Sequence, residues 1–175
     1  MSKNTTYKGL LFFVLLIGSI FLANWLIRNI GTICTNGICL IPVGFGLLTP
    51  SGVLAVGLTF SFRDGVQEYL GKKMVIFAII LGAIISAFLS PTLALASGTA
   101  FLISETFDFL VYTPLKQKTL IGAIGLSNTV GSFIDSFIFL WLAAIPFQFL
   151  LGQIVGKLWM TLPVLLFVLL FRKKI

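Results

Sequence analysis

Ser104 to Ser136 reads SETFDFLVYTPLKQKTLIGAIGLSNTVGSFIDS, two apolar helical stretches joined by a short basic turn at Lys116 and Lys118. Glu105, Asp108 and Asp135, three of the five carboxylates in the chain, lie inside those stretches. An ionisable group inside a bilayer costs about 2.5–3.5 kcal/mol on insertion scales, so such residues mark a substrate or ion path. The stretch therefore predicts two membrane helices that line a polar cavity. The rest of the chain is expected to hold that cavity in the bilayer.

Composition agrees with a membrane setting. The 175 residues are 58% hydrophobic and 10% charged, with mean hydropathy +1.12, far from the polar surface a soluble domain needs. Apolar runs of about 20 residues recur, each long enough to cross a hydrocarbon core. The expectation is one polytopic membrane domain over residues 1–175, an all-α bundle of six transmembrane helices. A net charge of +7 raises nucleic acid as a partner, but the charges sit in short clusters beside apolar runs. No basic face with stacking groups is left outside the membrane, so nucleic acid is set aside.

The chain divides as follows. Spans are expected at Gly9–Ile27, Gly46–Phe62, Met74–Ser90 (stopped by Pro91), Thr92–Pro114, Leu120–Leu142 and Phe147–Phe171. The first is too long for a removed signal peptide and lacks a small-residue cleavage site. RDGVQEYLGKK, Arg63–Lys73, reads as the most charged turn, and Arg172-Lys173-Lys174 closes the chain. With six spans and both termini cytoplasmic, ten Lys and Arg residues fall inside and only Arg28 outside. That is a strong positive-inside bias. It fits a multi-pass protein of the bacterial inner membrane, with the lipid bilayer as its surroundings.

The first outer connection contains Ile33-Cys34-Thr35-Asn36-Gly37-Ile38-Cys39-Leu40. Asn-Gly between β-compatible residues is a strong hairpin signal, because both turn positions need positive φ. A two-residue loop sets Cys34 opposite Cys39 at about 4.5 Å between Cα atoms, within disulfide range. Two reduced cysteines packed at the membrane surface remain the alternative.

At 1.5 Å per residue, Glu105, Asn128 and Lys157 come to one level near mid-bilayer from three helices. Asp108 shares a face with Glu105, Asp135 shares one with Asn128, and Gln153 lies one turn from Lys157. With Lys157 as the one intramembrane cation, three carboxylates call for a ligand, a cation, a proton or water. A carboxylate accepts paired N–H donors while Lys or Asn meets a carbonyl, which suits a guanine-like edge; an organic cation or metal ion fits almost as well. Gly152 and Gly156 have small-xxx-small spacing, suited to packing within the monomer or to a homodimer face.

Catalysis finds little support. Histidine is absent, removing His metal sites and nucleophile–His dyads. The carboxylates are too sparse for a lipid-headgroup transferase, and Ser51-Gly52 lacks a histidine partner. No GK[ST] phosphate loop occurs, so any use of ATP belongs to another chain. Neither an enzyme nor a resident cofactor or metal is expected, although a coupling proton or cation is compatible.

Four segments together carry a family resemblance: PSGVLAVGLTFSFRDGVQEYLG (Pro50–Gly71), SETFDFLVYTPLKQ (Ser104–Gln117), SNTVGSFIDSFIFLWLA (Ser127–Ala143) and GQIVGKLWMTLP (Gly152–Pro163). In order and spacing the chain resembles the VUT (vitamin uptake transporter) family, whose best-understood members are queuosine precursor transporters. The resemblance implies a six-helix importer of 7-cyano-7-deazaguanine or a related deazapurine. Matched positions are Asn24, Arg63, Asp64, Gln67, Glu68, Glu105, Asp108, Asn128, Asp135 and Lys157. Asn24, Glu105, Asp108, Asn128, Asp135, Gln153 and Lys157 are the substrate-binding candidates. Arg63, Asp64, Gln67 and Glu68 form either an inner gate or an interfacial charge cluster. The alternatives are a substrate-capture subunit of an ATP-driven vitamin uptake system and a transporter of another small heterocycle.

Overall fold

The computed structural model describes residues 3–35, 37–89 and 94–171. Among these are six α-helices: α1 Lys3–Asn29, α2 Val53–Leu70, α3 Lys72–Leu89, α4 Ala94–Leu115, α5 Leu120–Leu142 and α6 Leu150–Phe171. A single 3₁₀ turn, Phe147–Phe149, leads into α6. Three short strands follow α1: β1 Ile33–Thr35, β2 Ile38–Pro42 and β3 Leu48–Pro50, forming one antiparallel sheet in the order β1-β2-β3.

The hairpin register sets Cys34 against Cys39 and Thr35 against Ile38, and a disulfide joins the two cysteines with Cα atoms 4.0 Å apart. Gly37 has φ +77°, the left-handed conformation that the turn requires; Asn36 lies outside the described residues. The third strand is a departure from a simple hairpin. Leu48–Pro50 pairs with Leu40–Pro42, and Ser51 N–H reaches the Cys39 carbonyl at 2.9 Å. The sheet thereby feeds directly into α2.

Arg63–Lys73 is not a turn. Helix α2 runs through Arg63, Asp64, Gln67 and Glu68 to Leu70, and only Gly71 separates it from α3. Gly71 has φ +84° and its N–H bonds the Gln67 carbonyl at 3.1 Å. A glycine enters that conformation without steric cost, so the chain reverses there and not at the charges. Helix α5 starts where expected, with Thr119 Oγ1 accepting from Gly122 N–H at 3.3 Å. The expected stop at Pro91 and the closing Arg172-Lys173-Lys174 lie outside the described residues.

The bundle is turned inside out relative to a soluble protein. Phe21, Phe77, Leu110, Phe137 and Leu170 are exposed, whereas Arg63, Asp108, Ser127 and Asn128 are completely buried. Apolar side chains outward and polar side chains inward is the arrangement a lipid solvent selects. By length and composition α1 (from Thr5), α3, α5 and Phe147–Leu170 can each cross a membrane. Helices α2 and α4 carry the charges that lower their hydropathy, and all of these but Glu68 are buried. An apolar cluster of Leu16, Ile20, Val66, Val75, Ala78, Ile79 and Phe101 ties α1 to α4 together.

Close approaches fix the remaining packing. A Cβ on Gly57 of α2 would lie 2.6 Å from the Lys157 carbonyl oxygen of α6. Gly152 faces the Leu48 carbonyl and Gly156 faces Val53. The small-residue face of α6 is thus filled by β3 and α2 of the same chain.

Candidate functional site

Two buried ion-pair networks occupy the middle of the bundle. In the first, the Arg63 guanidinium of α2 meets α4: Nε donates to Glu105 Oε2 at 3.1 Å and Nη2 donates to Asp108 Oδ1. Nη1 lies 2.8 Å from Asp64 Oδ1 and 3.4 Å from Gln67 Oε1, and Tyr112 places its ring 5.6 Å below the guanidinium. A planar fork with donors in fixed directions suits this task, because one cation can reach several carboxylates and still lie flat on an aromatic face. Gln67 Nε2 in turn donates to Thr113 Oγ1 at 2.9 Å.

The second network surrounds Lys157 of α6. Its Nζ donates to Asp135 Oδ2 and to Ser136 Oγ, both at 2.6 Å, and to Gln153 Oε1 at 3.4 Å. Ser104 Oγ donates to the other Asp135 oxygen at 3.3 Å. Because Ser104 precedes Glu105 on α4, the two networks meet along one helix. Between them Asn128 of α5 donates from Nδ2 to Ser61 Oγ at 3.0 Å and to Thr161 Oγ1 at 3.1 Å. Those bonds join α5 to α2 and α6.

These contacts revise the expected pairings. Lys157 bonds Asp135, whereas Asn128 bonds Thr161, one turn further along α6. The carboxylates Glu105 and Asp108 are met by Arg63, so Lys157 is not the one intramembrane cation. Arg63, Asp64 and Gln67 are buried with the carboxylates. Of the four residues expected to form a cytoplasmic cluster, Glu68 alone is exposed, paired with Lys116 at 3.2 Å. Ser61, Ser104, Ser136 and Thr161 were not anticipated. Their signal is local: each takes its place from helical phase, one to four residues from a charged neighbour.

The imbalance of charge persists, in altered form. Asp64, Glu105, Asp108 and Asp135 are buried, against two buried cations, Arg63 and Lys157. Glu105 Oε1, Asp108 Oδ2, Asn128 Oδ1 and Ser132 Oγ have no hydrogen-bond partner among the described residues. A buried polar atom without a partner is costly, so a layer of them has the chemistry to receive N–H donors, a proton or a small cation.

Two hollows flank this layer. The one at the sheet end has about 90 Å³ and is lined by Asn24, Pro50, Phe101, Asp135, Gln153 and Lys157. Asn24 Nδ2 also bonds the Ile20 carbonyl at 2.9 Å. Toward the opposite end lies a cleft of about 340 Å³ among α1, α2, α4, α5 and α6. Phe101 and Tyr112 are among the aromatic residues that border the hollows, while Phe107, Phe133 and Trp159 are exposed at the bundle surface. Trp159 anchors there by donating from Nε1 to the Val43 carbonyl at 2.9 Å.

Residues 87–171 match the family model described as "Putative vitamin uptake transporter". No curated protein and no solved structure matches the chain.

Proposed function

We propose that this chain, whose residues 87–171 match the vitamin uptake transporter family, imports a queuosine precursor, 7-cyano-7-deazaguanine or a related deazapurine. The family is one of small-molecule uptake across membranes, and the bundle of long apolar helices agrees with a multi-pass protein. In this reading all six helices span a bacterial inner membrane. Lys8, Lys72, Lys73, Lys116 and Lys118 gather at the end away from the sheet, which is the cytoplasmic end by the positive-inside rule. The sheet and Arg28 then face outward.

The observation that carries the reading is the polar layer: four buried carboxylates share two buried cations beside a hollow lined by Asp135, Gln153 and Lys157. Two cations leave part of the negative charge of four carboxylates uncompensated. A deazaguanine supplies adjacent N–H donors for Asp135 and a carbonyl for Lys157 Nζ, with the Gln153 amide able to serve either. Asn24 and Phe101 border the same hollow. The residual negative charge leaves a place for a coupling proton or cation, and no chemical conversion of the substrate is required.

Liposomes carrying only this protein and presented with labelled 7-cyano-7-deazaguanine test the reading. Accumulation without ATP is the expected result. Binding without uptake assigns the chain to an ATP-driven system as its capture subunit, and an absence of both overturns the substrate.

A further inference from the structure

We propose that the cleft at the end opposite the sheet is a second binding station, taking a flat heterocycle rich in N–H donors onto the carboxylate of Asp64. The proposal rests on the uptake reading above and adds a second place where the substrate stops.

Size is the first argument. Sites that enclose small organic ligands run from about 300 to 1,000 Å³. The sheet-end hollow, at about 90 Å³, is closed down around its polar groups, whereas the cleft offers about 340 Å³. In this conformation the room for a bicyclic ring lies at the cytoplasmic end.

Chemistry is the second. The cleft is walled by Phe12, Phe62, Tyr69, Tyr112 and Phe167, with Phe12 already stacked on Tyr69 and Tyr112 lying against Arg63, an aromatic lining that suits a planar ring. Among them stands Asp64, only 3% exposed, whose carboxylate oxygens accept no hydrogen bond among the described residues. Its Oδ1 lies 2.8 Å from Arg63 Nη1, but that guanidinium is shared with Glu105 and Asp108. Both oxygens are shielded within the cleft wall in this conformation, and an acyl chain in the same volume would leave them without a partner. Two adjacent N–H donors on a ring edge would instead satisfy both oxygens.

Connection is the third. Ser61 lines the cleft and accepts from Asn128, and Asp64 lines it beside Arg63. The same two groups that face the cleft are therefore bonded to the layer that borders the sheet-end hollow. Glu68 stands at the cleft with its partner Lys116 on the α4–α5 turn, a pair placed to close over a bound ring.

The test uses a single introduced thiol. Cys34 and Cys39 are joined and are the two cysteines of the chain, so Val164→Cys on the cleft wall adds the one free thiol. Proteoliposomes of this variant are labelled with a membrane-impermeant maleimide, with and without 7-cyano-7-deazaguanine, beside wild-type vesicles scored for uptake. At ligand ten times its Kd, labelling should slow about tenfold, as expected for a blocked site. Adding Asp64→Asn should remove that protection. Should Val164→Cys fail to fold, Leu120→Cys on the opposite wall serves the same purpose. Wild-type uptake with unprotected thiols at both positions overturns the second station and leaves the uptake reading standing. Protection that follows lipid acyl-chain length and ignores the heterocycle makes the cleft a lipid crevice, and likewise overturns it. Wild-type vesicles that neither bind nor take up the compound overturn both.

Discussion

Arg63 and Glu105, forty-two positions apart, meet with Nε 3.1 Å from Oε2 at the centre of the bundle, and neither side chain reaches solvent. One buried guanidinium thereby holds α2 against α4 while answering three carboxylates. Removing it leaves those carboxylates without a cation in a medium that cannot hydrate them.

Arg63→Met is accordingly expected to lower stability by about 3–5 kcal/mol, the cost of breaking a buried charge pair by deleting one partner. Arg63→Lys should rescue only part of this, since a single ammonium cannot span Glu105, Asp108 and Asp64 together. Thermal melts of the purified variants in detergent measure both effects.

Lys157 and Asp135 should behave as a coupled unit. Lys157→Met and Asp135→Asn each strand a buried partner, whereas the double variant strands neither. A double-mutant cycle on thermal stability should show coupling of about 0.5–3 kcal/mol in favour of the double variant. Substrate binding should be lost in all three, because the variants keep the packing and remove the donors and acceptors. A double variant that binds 7-cyano-7-deazaguanine normally would disprove the assignment of these two residues.

Gly57→Val should be damaging, because Gly57 is buried where α2 meets α6. The new Cβ would arrive 2.6 Å from the Lys157 carbonyl oxygen, pushing α6 away from α2 at the level of the second network. Overpacking of this kind costs about 1–3 kcal/mol. The measurable consequence is a lower melting temperature together with weakened substrate binding, while Gly37→Ala at the exposed turn should leave binding intact.

The Cys34–Cys39 bridge closes a short loop, so on the chain-entropy account it contributes about 2 kcal/mol. Mass spectrometry should find no alkylatable thiol before reduction and two afterwards. Reduction should lower the melting temperature modestly and leave uptake in place, since the bridge lies in the hairpin and none of the polar network residues belong to it.

Much of the bundle was legible because lipid imposes simple rules. Helix α5 begins at Leu120 and ends at Leu142 as the apolar run requires, and the Asn-Gly hairpin takes the register that its loop length dictates. The third strand was hidden, because Leu48-Thr49-Pro50 owes its extended form to pairing with β2 and carries no strand pattern of its own. Arg63 was misplaced for a related reason. A charge next to Asp64 and five residues from Glu68 looks like a helix end at the membrane surface, and only the tertiary position of α4 draws it inward. Helical phase correctly grouped Glu105 with Asp108 and Gln153 with Lys157. It could not supply the tertiary packing that decides which of those groups meet.

Helices α2 and α4 carry Arg63, Asp64, Glu105 and Asp108 on surfaces that only other helices cover. Alone at the centre of the lipid, each such charge costs about 2.5–3.5 kcal/mol on insertion scales. In the proposed six-span arrangement their entry into the bilayer is a cooperative event in which an apolar neighbour, α1 for α2 and α5 for α4, accompanies each polar helix. The contacts that bury these charges in the finished protein thereby impose an order on its biogenesis.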